Sequence, residues 1–175
     1  MTSHFEHYLL NTVNYDFLNK FAYEKISKIP TLLNVTLHFT FKFYNFKLLI
    51  MSLVVLEILT GKKGSVMKSK TSNISVKLRK GSPIGCKVVL RKKESVKFLS
   101  ILFDNYKSVK CAKRAILHKD GLSLSTVITN VLTLPELENN YHFFKNLGSL
   151  NVKFVTTATT QNELNFLLKS CKLQK

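Results

Sequence analysis

The sequence predicts an α+β fold, with helices packed on one face of a mainly antiparallel sheet and a projecting basic loop. About six short stretches have strand patterns, and turn residues separate many consecutive ones, which favours hairpin pairing. About four stretches space their apolar residues as helices do. Apolar residues make up 45% of the 175 positions, so the chain can bury a layered core. We therefore expect one domain over residues 1–175.

The N-terminal part of the chain predicts a helix, a strand and a second helix. Apolar residues at helical spacing indicate a helix over residues 4–27, which Pro30 stops. Residues 33–41 alternate between apolar and polar side chains, which predicts a half-buried strand with His38 on its polar face. The apolar stretch 47–59 predicts a core helix, which Thr60-Gly61 ends. A membrane span needs ~20 residues, and this stretch is shorter and interrupted by polar side chains.

The middle of the chain predicts short strands and one helix. Strand patterns occupy residues 66–70, 74–78 and 86–90, separated by Gly and Pro. Residues 81–85 read Gly-Ser-Pro-Ile-Gly, the strongest turn signal of the sequence. The stretch 94–103 has helical spacing of apolar residues.

The last third predicts two more strands and two more helices. The alternating residues 122–128 follow a turn at Lys119-Asp120-Gly121 and indicate a strand. A short helix is expected over residues 139–147 and a strand over 152–157. Thr160 and Glu163 have the spacing of a capping box, which would open the last helix.

The positive charge is concentrated in one segment. The formal net charge is +17, and residues 61–120 contain 17 Lys and Arg against three acidic residues, which gives +14. An excess of this size indicates a polyanionic partner, because unneutralised like charges repel one another in a compact state. Basic residues between Lys62 and Lys93 alternate with Ser, Thr and Gly, and small residues let a phosphate backbone approach closely. Segment 61–120 is therefore predicted to bind RNA.

Several other classes of protein fit the sequence less well. The chain has no Gly-x-Ser-x-Gly, no phosphate-loop motif and no paired carboxylates, so we do not expect an enzyme. Its three cysteines are widely spaced without a Cys-x-x-Cys pair, and we expect neither a metal nor another cofactor. A peripheral protein of anionic membranes and a free RNA chaperone remain as alternatives. The basic residues do not line one face of an amphipathic helix, which disfavours the membrane.

Two blocks of the sequence resemble the bacterial-type large-subunit ribosomal protein L-five family. The run from Leu56 to Arg91, LEILTGKKGSVMKSKTSNISVKLRKGSPIGCKVVLR, is similar to the central signature of that family. Leu134 to Leu137 and Leu150 to Ala158 resemble a second block and the closing strand. The sequence departs from the family at Lys62, where Gln is usual, and in the shortened stretch 105–121.

The resemblance implies a structural constituent of the large ribosomal subunit, in the central protuberance of a mitochondrial ribosome, or alternatively of a plastid or bacterial one. It implies contacts with 5S rRNA, large-subunit rRNA, P-site tRNA and a small-subunit head protein across an intersubunit bridge, and none with membrane. The resemblance and the charge together predict rRNA contacts for Lys62, Lys63, Lys87, Arg91, Lys92, Lys93, Lys107, Lys110, Lys113 and Arg114. By the same resemblance, the loop 68–80 would contact tRNA through Lys68, Lys70, Thr71, Ser72, Lys77, Arg79 and Lys80.

Overall fold

A seven-stranded antiparallel sheet organises the chain, as expected. This computed structural model describes residues 4–41, 45–75, 77–91, 93–104, 109–111, 116–118 and 121–171. The strands are β1 Leu32–Thr40, β2 Ser65–Lys68, β3 Pro83–Arg91, β4 Val109–Cys111, β5 Ile116–His118, β6 Gly121–Ile128 and β7 Leu150–Thr156. Their spatial order is β2-β3-β1-β7-β6-β4, and β5 also pairs with β6.

The helices bury one face of this sheet. They are α1 His4–Tyr8, α2 Asn14–Lys20, α3 Phe46–Thr60, α4 Lys93–Asp104, α5 Pro135–Glu138, α6 Tyr141–Phe144 and α7 Gln161–Ser170. Single 3-10 turns occur at Ile26–Lys28 and Val131–Thr133. Alternate residues of the central strands are buried beneath the helices: Val35, Leu37, Phe39, Val88, Leu90, Val152 and Phe154. The residues between them point to the other side, which we call the open face.

Local sequence signals set the ends of α3 and α7; those at Gly61 and at Thr160 with Glu163 were predicted, and the one at Asn45 was not. Asn45 caps α3, because its side chain accepts hydrogen bonds from the backbone N–H groups of Lys47 and Leu48. Gly61 ends the helix with a left-handed φ of 67°, a conformation that costs glycine little. Thr160 and Glu163 form the predicted capping box at the start of α7.

The predicted N-terminal helix is confirmed up to Lys20 and wrong over its last seven residues. Helix α1 continues through a π-helical turn at Leu9–Val13 into α2, which ends at Lys20. Phe21 is already extended, and its ring packs against Phe17 and Phe166. Packing against α7 therefore ends the helix about seven residues before the position that the sequence predicted.

Three shorter predictions also need correction. The described residues of the stretch 74–78 do not form a strand, because they lie at a turn closed by an isolated β-bridge between Asn73 and Leu78. The turn predicted over residues 81–85 is narrower, since β3 already begins at Pro83. The helix predicted over residues 139–147 is reduced to α6, with α5 before it.

Candidate nucleic-acid interface

The open face of the sheet is polar and contains no acidic group among its described residues. None of the seven strands contains Asp or Glu. The centre of the face consists of three rows of residues that the strand register places side by side across β3, β1 and β7: Lys87, His38 and Asn151; Val89, Thr36 and Lys153; Arg91, Asn34 and Val155. Hydroxyl and amide side chains thus surround the basic ones, which suits a phosphate backbone.

Three basic residues form a triangle on this face. Lys87 and Arg91 lie four residues apart on β3 and are exposed, and Lys153 lies on β7 in the row between them. Standard strand geometry puts each pair of Cα atoms about 12–13 Å apart. Their mutual repulsion is weak at this separation, because the Debye length is about 8 Å at physiological salt. Each of the three can therefore meet a different phosphate group.

His38 lies on β1 beside Lys87, at one edge of this triangle, and is uncharged near neutral pH. Burial lowers the pKa of the His38 imidazole, and the positive charge of Lys153 lowers it further. The open face therefore carries the fixed charge of Lys and Arg, with a neutral imidazole that can donate or accept a hydrogen bond.

The backbones of β3 and β1 approach each other closely at Gly85, one row beyond the Lys87 corner of the triangle. A Cβ added to Gly85 would lie 2.1 Å from the carbonyl oxygen of Phe39, so only glycine fits between β3 and β1. Next to it, the buried Cys86 thiol donates a hydrogen bond of 3.0 Å to Ser52 Oγ on α3. Burial raises the pKa of this thiol, which keeps it protonated as a donor. The glycine and cysteine of the sequence signature are thus structural residues.

A second basic group lies at the end of β3. Lys62 Nζ is 2.6 Å from the Glu94 carboxylate, and this hydrogen bond lowers the pKa of Glu94. The backbone N–H of Arg91 also points to Glu94 Oε2, at 3.5 Å. Lys63 and Lys93 are exposed beside this pair. Glu94 already neutralises part of the charge of Lys62. Phosphate should therefore bind more readily to Lys63 and Lys93 than to Lys62.

The predicted basic loop continues the β2–β3 hairpin beyond the sheet. Backbone hydrogen bonds of 2.9 Å join Ser69 to Ser82 and Gly81, and two more of 2.9 Å join Asn73 to Leu78. The tip is a tight turn in which Lys77 has a left-handed φ of 52°. The loop residues singled out by the sequence are all exposed: Lys68, Lys70, Thr71, Ser72, Lys77, Arg79 and Lys80. They surround a narrow hairpin with few buried contacts of its own.

The remaining predicted rRNA contacts are Lys92 and four residues of the shortened segment 105–121. Lys110 belongs to β4, where its Cα is in register with Val127 of β6. Lys92, Lys107, Lys113 and Arg114 lie outside the described residues.

Sequence reasoning missed Lys153 and gave His38 no functional role. Period-two alternation in residues 152–157 would have put Lys153 on the polar face of its strand. No local signal shows that β7 lies two strands from β3, because this neighbourhood depends on long-range pairing. Among the described residues, no group of His, Cys, Asp and Glu could hold a metal ion. Nor is any of the described helices long and apolar enough to cross a membrane.

Comparison with known proteins agrees with the resemblance. The chain is 30% identical over 167 residues to large ribosomal subunit protein uL5m of Reclinomonas americana, covering 92% of this chain and 91% of the relative. It is 33% identical over 160 residues to protein uL5 of Trichlorobacter lovleyi, with 86% of each chain covered. It is 31% identical over 158 residues to uL5 of Pelobacter propionicus, with 85% of each covered. No family model matches the chain. Similarity at about 30% identity over most of the chain shows that it belongs to the uL5 family of large ribosomal subunit proteins.

Proposed function

We propose that this chain holds rRNA in the large subunit through its open sheet face and contacts P-site tRNA through its basic loop. Membership of the uL5 family makes it a structural constituent of the large ribosomal subunit, which binds rRNA and other ribosomal proteins. The proposal adds the residues that bind RNA and the identity of each RNA.

The triangle of Lys87, Arg91 and Lys153 on a face without acidic strand residues carries this proposal. Phosphate binding releases condensed counterions, and each neutralised phosphate steepens the salt dependence of binding by about 0.7–0.9. The hydroxyl and amide groups around the triangle add hydrogen bonds to phosphate and to 2′-hydroxyl groups. Lys63 and Lys93 extend the contact past the end of β3, together with Lys62. We assign further rRNA contacts by charge alone to Lys92, Lys107, Lys110, Lys113 and Arg114.

The loop suits a different kind of RNA contact. Its exposed cations are Lys68, Lys70, Lys77, Arg79 and Lys80, and Thr71 and Ser72 add hydroxyl groups near its tip. Exposed ion pairs are individually weak, at about 0.2–1 kcal/mol each. Several of them can hold a tRNA and still release it, as translation requires. The tRNA elbow in the P site is the partner that the uL5 resemblance implies.

The finer placement follows from the same resemblance. We propose 5S rRNA and the adjacent large-subunit rRNA of the central protuberance as the RNAs of the sheet face. A small-subunit head protein would be a neighbour across an intersubunit bridge. One of the relatives is the mitochondrial uL5m of Reclinomonas americana, which favours a mitochondrial ribosome for this chain.

A binding assay with the purified chain tests the RNA face. The target probes are 5S rRNA and a central-protuberance rRNA fragment, both with the sequences of the organism that makes this chain. The control probes are a single-stranded homopolymer of equal length and phosphatidylserine vesicles. We expect binding to at least one of the structured rRNAs about tenfold tighter than to the homopolymer. Five phosphate contacts, from Lys87, Arg91, Lys153, Lys63 and Lys93, predict a slope of log affinity against log salt of about −4. Equal affinity for every polyanion, or tighter binding to vesicles, would overturn the proposal.

A further inference from the structure

Helix α3 presents an exposed apolar surface on the opposite layer of the molecule from the open face. Phe46, Ile50, Val54 and Ile58 recur every four residues and are 40–61% exposed. The other side of the helix is buried against the core through Leu49, Val55, Leu56 and Leu59. The sequence predicted a core helix here, and only one side of α3 is buried in the core. We call the four exposed residues the α3 stripe.

The neighbouring helix α6 also has exposed aromatic side chains. It packs against α3, and its Tyr141 and Phe143 side chains are 43% and 70% exposed. Together with the α3 stripe, they present on the order of 500 Å² of apolar surface. Apolar patches of this size on a folded protein mark interaction sites, and exposed aromatic residues are enriched at interfaces.

The chemistry of the α3 stripe excludes RNA as its occupant. The only charged residues of α3 are Lys47 and Glu57, so the surface has no net positive charge to attract phosphate. A phosphate backbone would lose hydration against the apolar side chains without gaining ion pairs. RNA therefore binds elsewhere on this chain.

A second copy of the chain also fits poorly. A stable specific dimer buries about 800 Å² on each partner, which is more than this surface offers. Two copies would also bring together net charges of +17 each. The size of the surface suits a single helix laid along α3.

The two charged residues of α3 restrict what that helix can be. At 3.6 residues per turn, the α3 stripe spans an arc of about 120°, and Lys47 and Glu57 fall within it near opposite ends. Both are exposed. An occupant that covers the stripe thus also covers a positive charge at one end and a negative charge at the other. It must supply the opposite charges there to avoid unpaired ones.

We propose that the α3 stripe binds one amphipathic helix of another protein of the large ribosomal subunit. That helix has apolar residues every three or four positions, an acidic residue opposite Lys47 and a basic residue opposite Glu57. The inference rests on family membership, which makes other ribosomal proteins the neighbours of this chain. It concerns a surface that the RNA contacts do not use.

Site-directed cross-linking in the assembled subunit tests the proposal. Val54→Cys is made in a Cys111→Ser background, labelled with benzophenone maleimide and added to large subunits from which a high-salt wash has removed the native chain. Cys86 and Cys171 are buried and should escape labelling. After irradiation, mass spectrometry should assign the cross-links to one helical segment of a single other subunit protein. Ile26→Cys, exposed on a 3-10 turn, is the matched control and should not reach that segment.

Cross-links from Val54→Cys to rRNA, to a second copy of this chain or to lipid would overturn the proposal. So would an incorporated chain that yields no protein cross-link. Binding of the isolated variant to rRNA is measured in parallel. If the RNA proposal fails, the chain shows no preference for rRNA in that assay, with or without the substitution, whereas a failure of this inference appears only in the cross-links.

A second measurement needs no reconstitution. Subunits are purified from cells that express Val54→Lys, and their protein stoichiometry is measured by quantitative mass spectrometry. Because Val54 is exposed, the Tm of the isolated chain should be unchanged. One subunit protein should fall about fivefold or more, while this chain and the rRNA stay at full occupancy. A wild-type complement of every protein would contradict the proposal. Restoring that protein by a compensating acidic residue in its own helix would confirm the contact.

Discussion

The open sheet face and the basic loop carry the same sign of charge on very different supports. On the sheet, β3 is paired on both sides, by β1 and β2, and the alternate residues Val88 and Leu90 are anchored in the core. In the loop, a few backbone hydrogen bonds hold exposed residues around a tight turn. A rigid array of charges favours permanent binding, because little side-chain and backbone entropy is lost on contact. The loop lacks that advantage, which fits the reversible tRNA contact that we propose for it.

Breaking the support of the sheet should have the largest effect. We expect Gly85→Ala to lower the free energy of unfolding by about 3 kcal/mol, because the new Cβ would overlap the Phe39 carbonyl oxygen. Urea denaturation measures the change. Gly148→Ala is the matched control, since nothing lies within 4 Å of a Cβ at that position, and it should change stability by less than about 0.5 kcal/mol. Equal stability of the two variants would show that β1 and β3 do not approach as described.

Removing charge from the sheet should weaken RNA binding without unfolding the chain. Lys87→Ala with Arg91→Ala is expected to lower rRNA affinity about 100-fold and to reduce the salt slope by about 1.5. Incorporation into the large subunit should fall with it. Lys145→Ala with Lys169→Ala removes the same charge from exposed residues outside the sheet and should have little effect. If both double variants lost the same affinity, net charge and not the face would explain binding.

Removing charge from the loop should affect tRNA alone. We expect replacement of Lys70, Lys77, Arg79 and Lys80 by Ala to raise the off-rate of P-site tRNA roughly tenfold, as the sum of four weak contacts. Subunit assembly should be normal, because the sheet face is untouched. Filter binding with labelled tRNA measures the off-rate, and sucrose gradients measure assembly. An unchanged off-rate would remove the loop from the proposed function.

Lowering the pH should reduce the stability of the sheet and leave the proposed tRNA contact of the loop unchanged. This is the smallest of the expected effects. His38 has a lowered pKa in the folded chain, so the unfolded chain takes up its proton first as the pH falls below about 6.5. This histidine therefore costs the folded state stability as the pH falls from 6.5 towards the folded pKa, and has no effect above 6.5. Urea denaturation should give a lower free energy of unfolding at pH 5.5 than at pH 7.5, and His38→Gln should reduce this difference. The loop contains no His, Asp or Glu, so its tRNA contact should not change over this range.

Sequence patterns predicted those elements whose signals are local. The alternation of residues 33–41 predicted β1, Gly61 predicted the end of α3, and Thr160 with Glu163 predicted the start of α7. Glu163 is fixed by nearby groups: burial alone would raise the pKa of its carboxyl, but hydrogen bonds from Thr160, Thr159 and Tyr23 lower it overall. Such features depend on residues a few positions apart, or on one further contact.

Features that depend on distant parts of the chain could not be predicted in this way. Helix α2 ends at Lys20 because Phe21 packs against Phe166, which lies in the last helix. The apolar residues in 74–78 resembled a strand, but none of the strands that the structure describes extends that far, and Ile74 is 94% exposed at the turn. Lys153 joins the basic triangle only because β7 pairs with β1. The charge count identified the basic segment 61–120, but only the strand order shows which basic residues share the open face of the sheet.

A density map of the purified large subunit that contains this chain tests the central claim most directly. Lys87, Arg91 and Lys153 should each have an rRNA phosphate oxygen within about 4 Å, the usual limit of an ion pair. These phosphates should belong to RNA that runs across the open face of the sheet. If that face instead met solvent, protein or lipid, the assignment of RNA binding to it would be wrong.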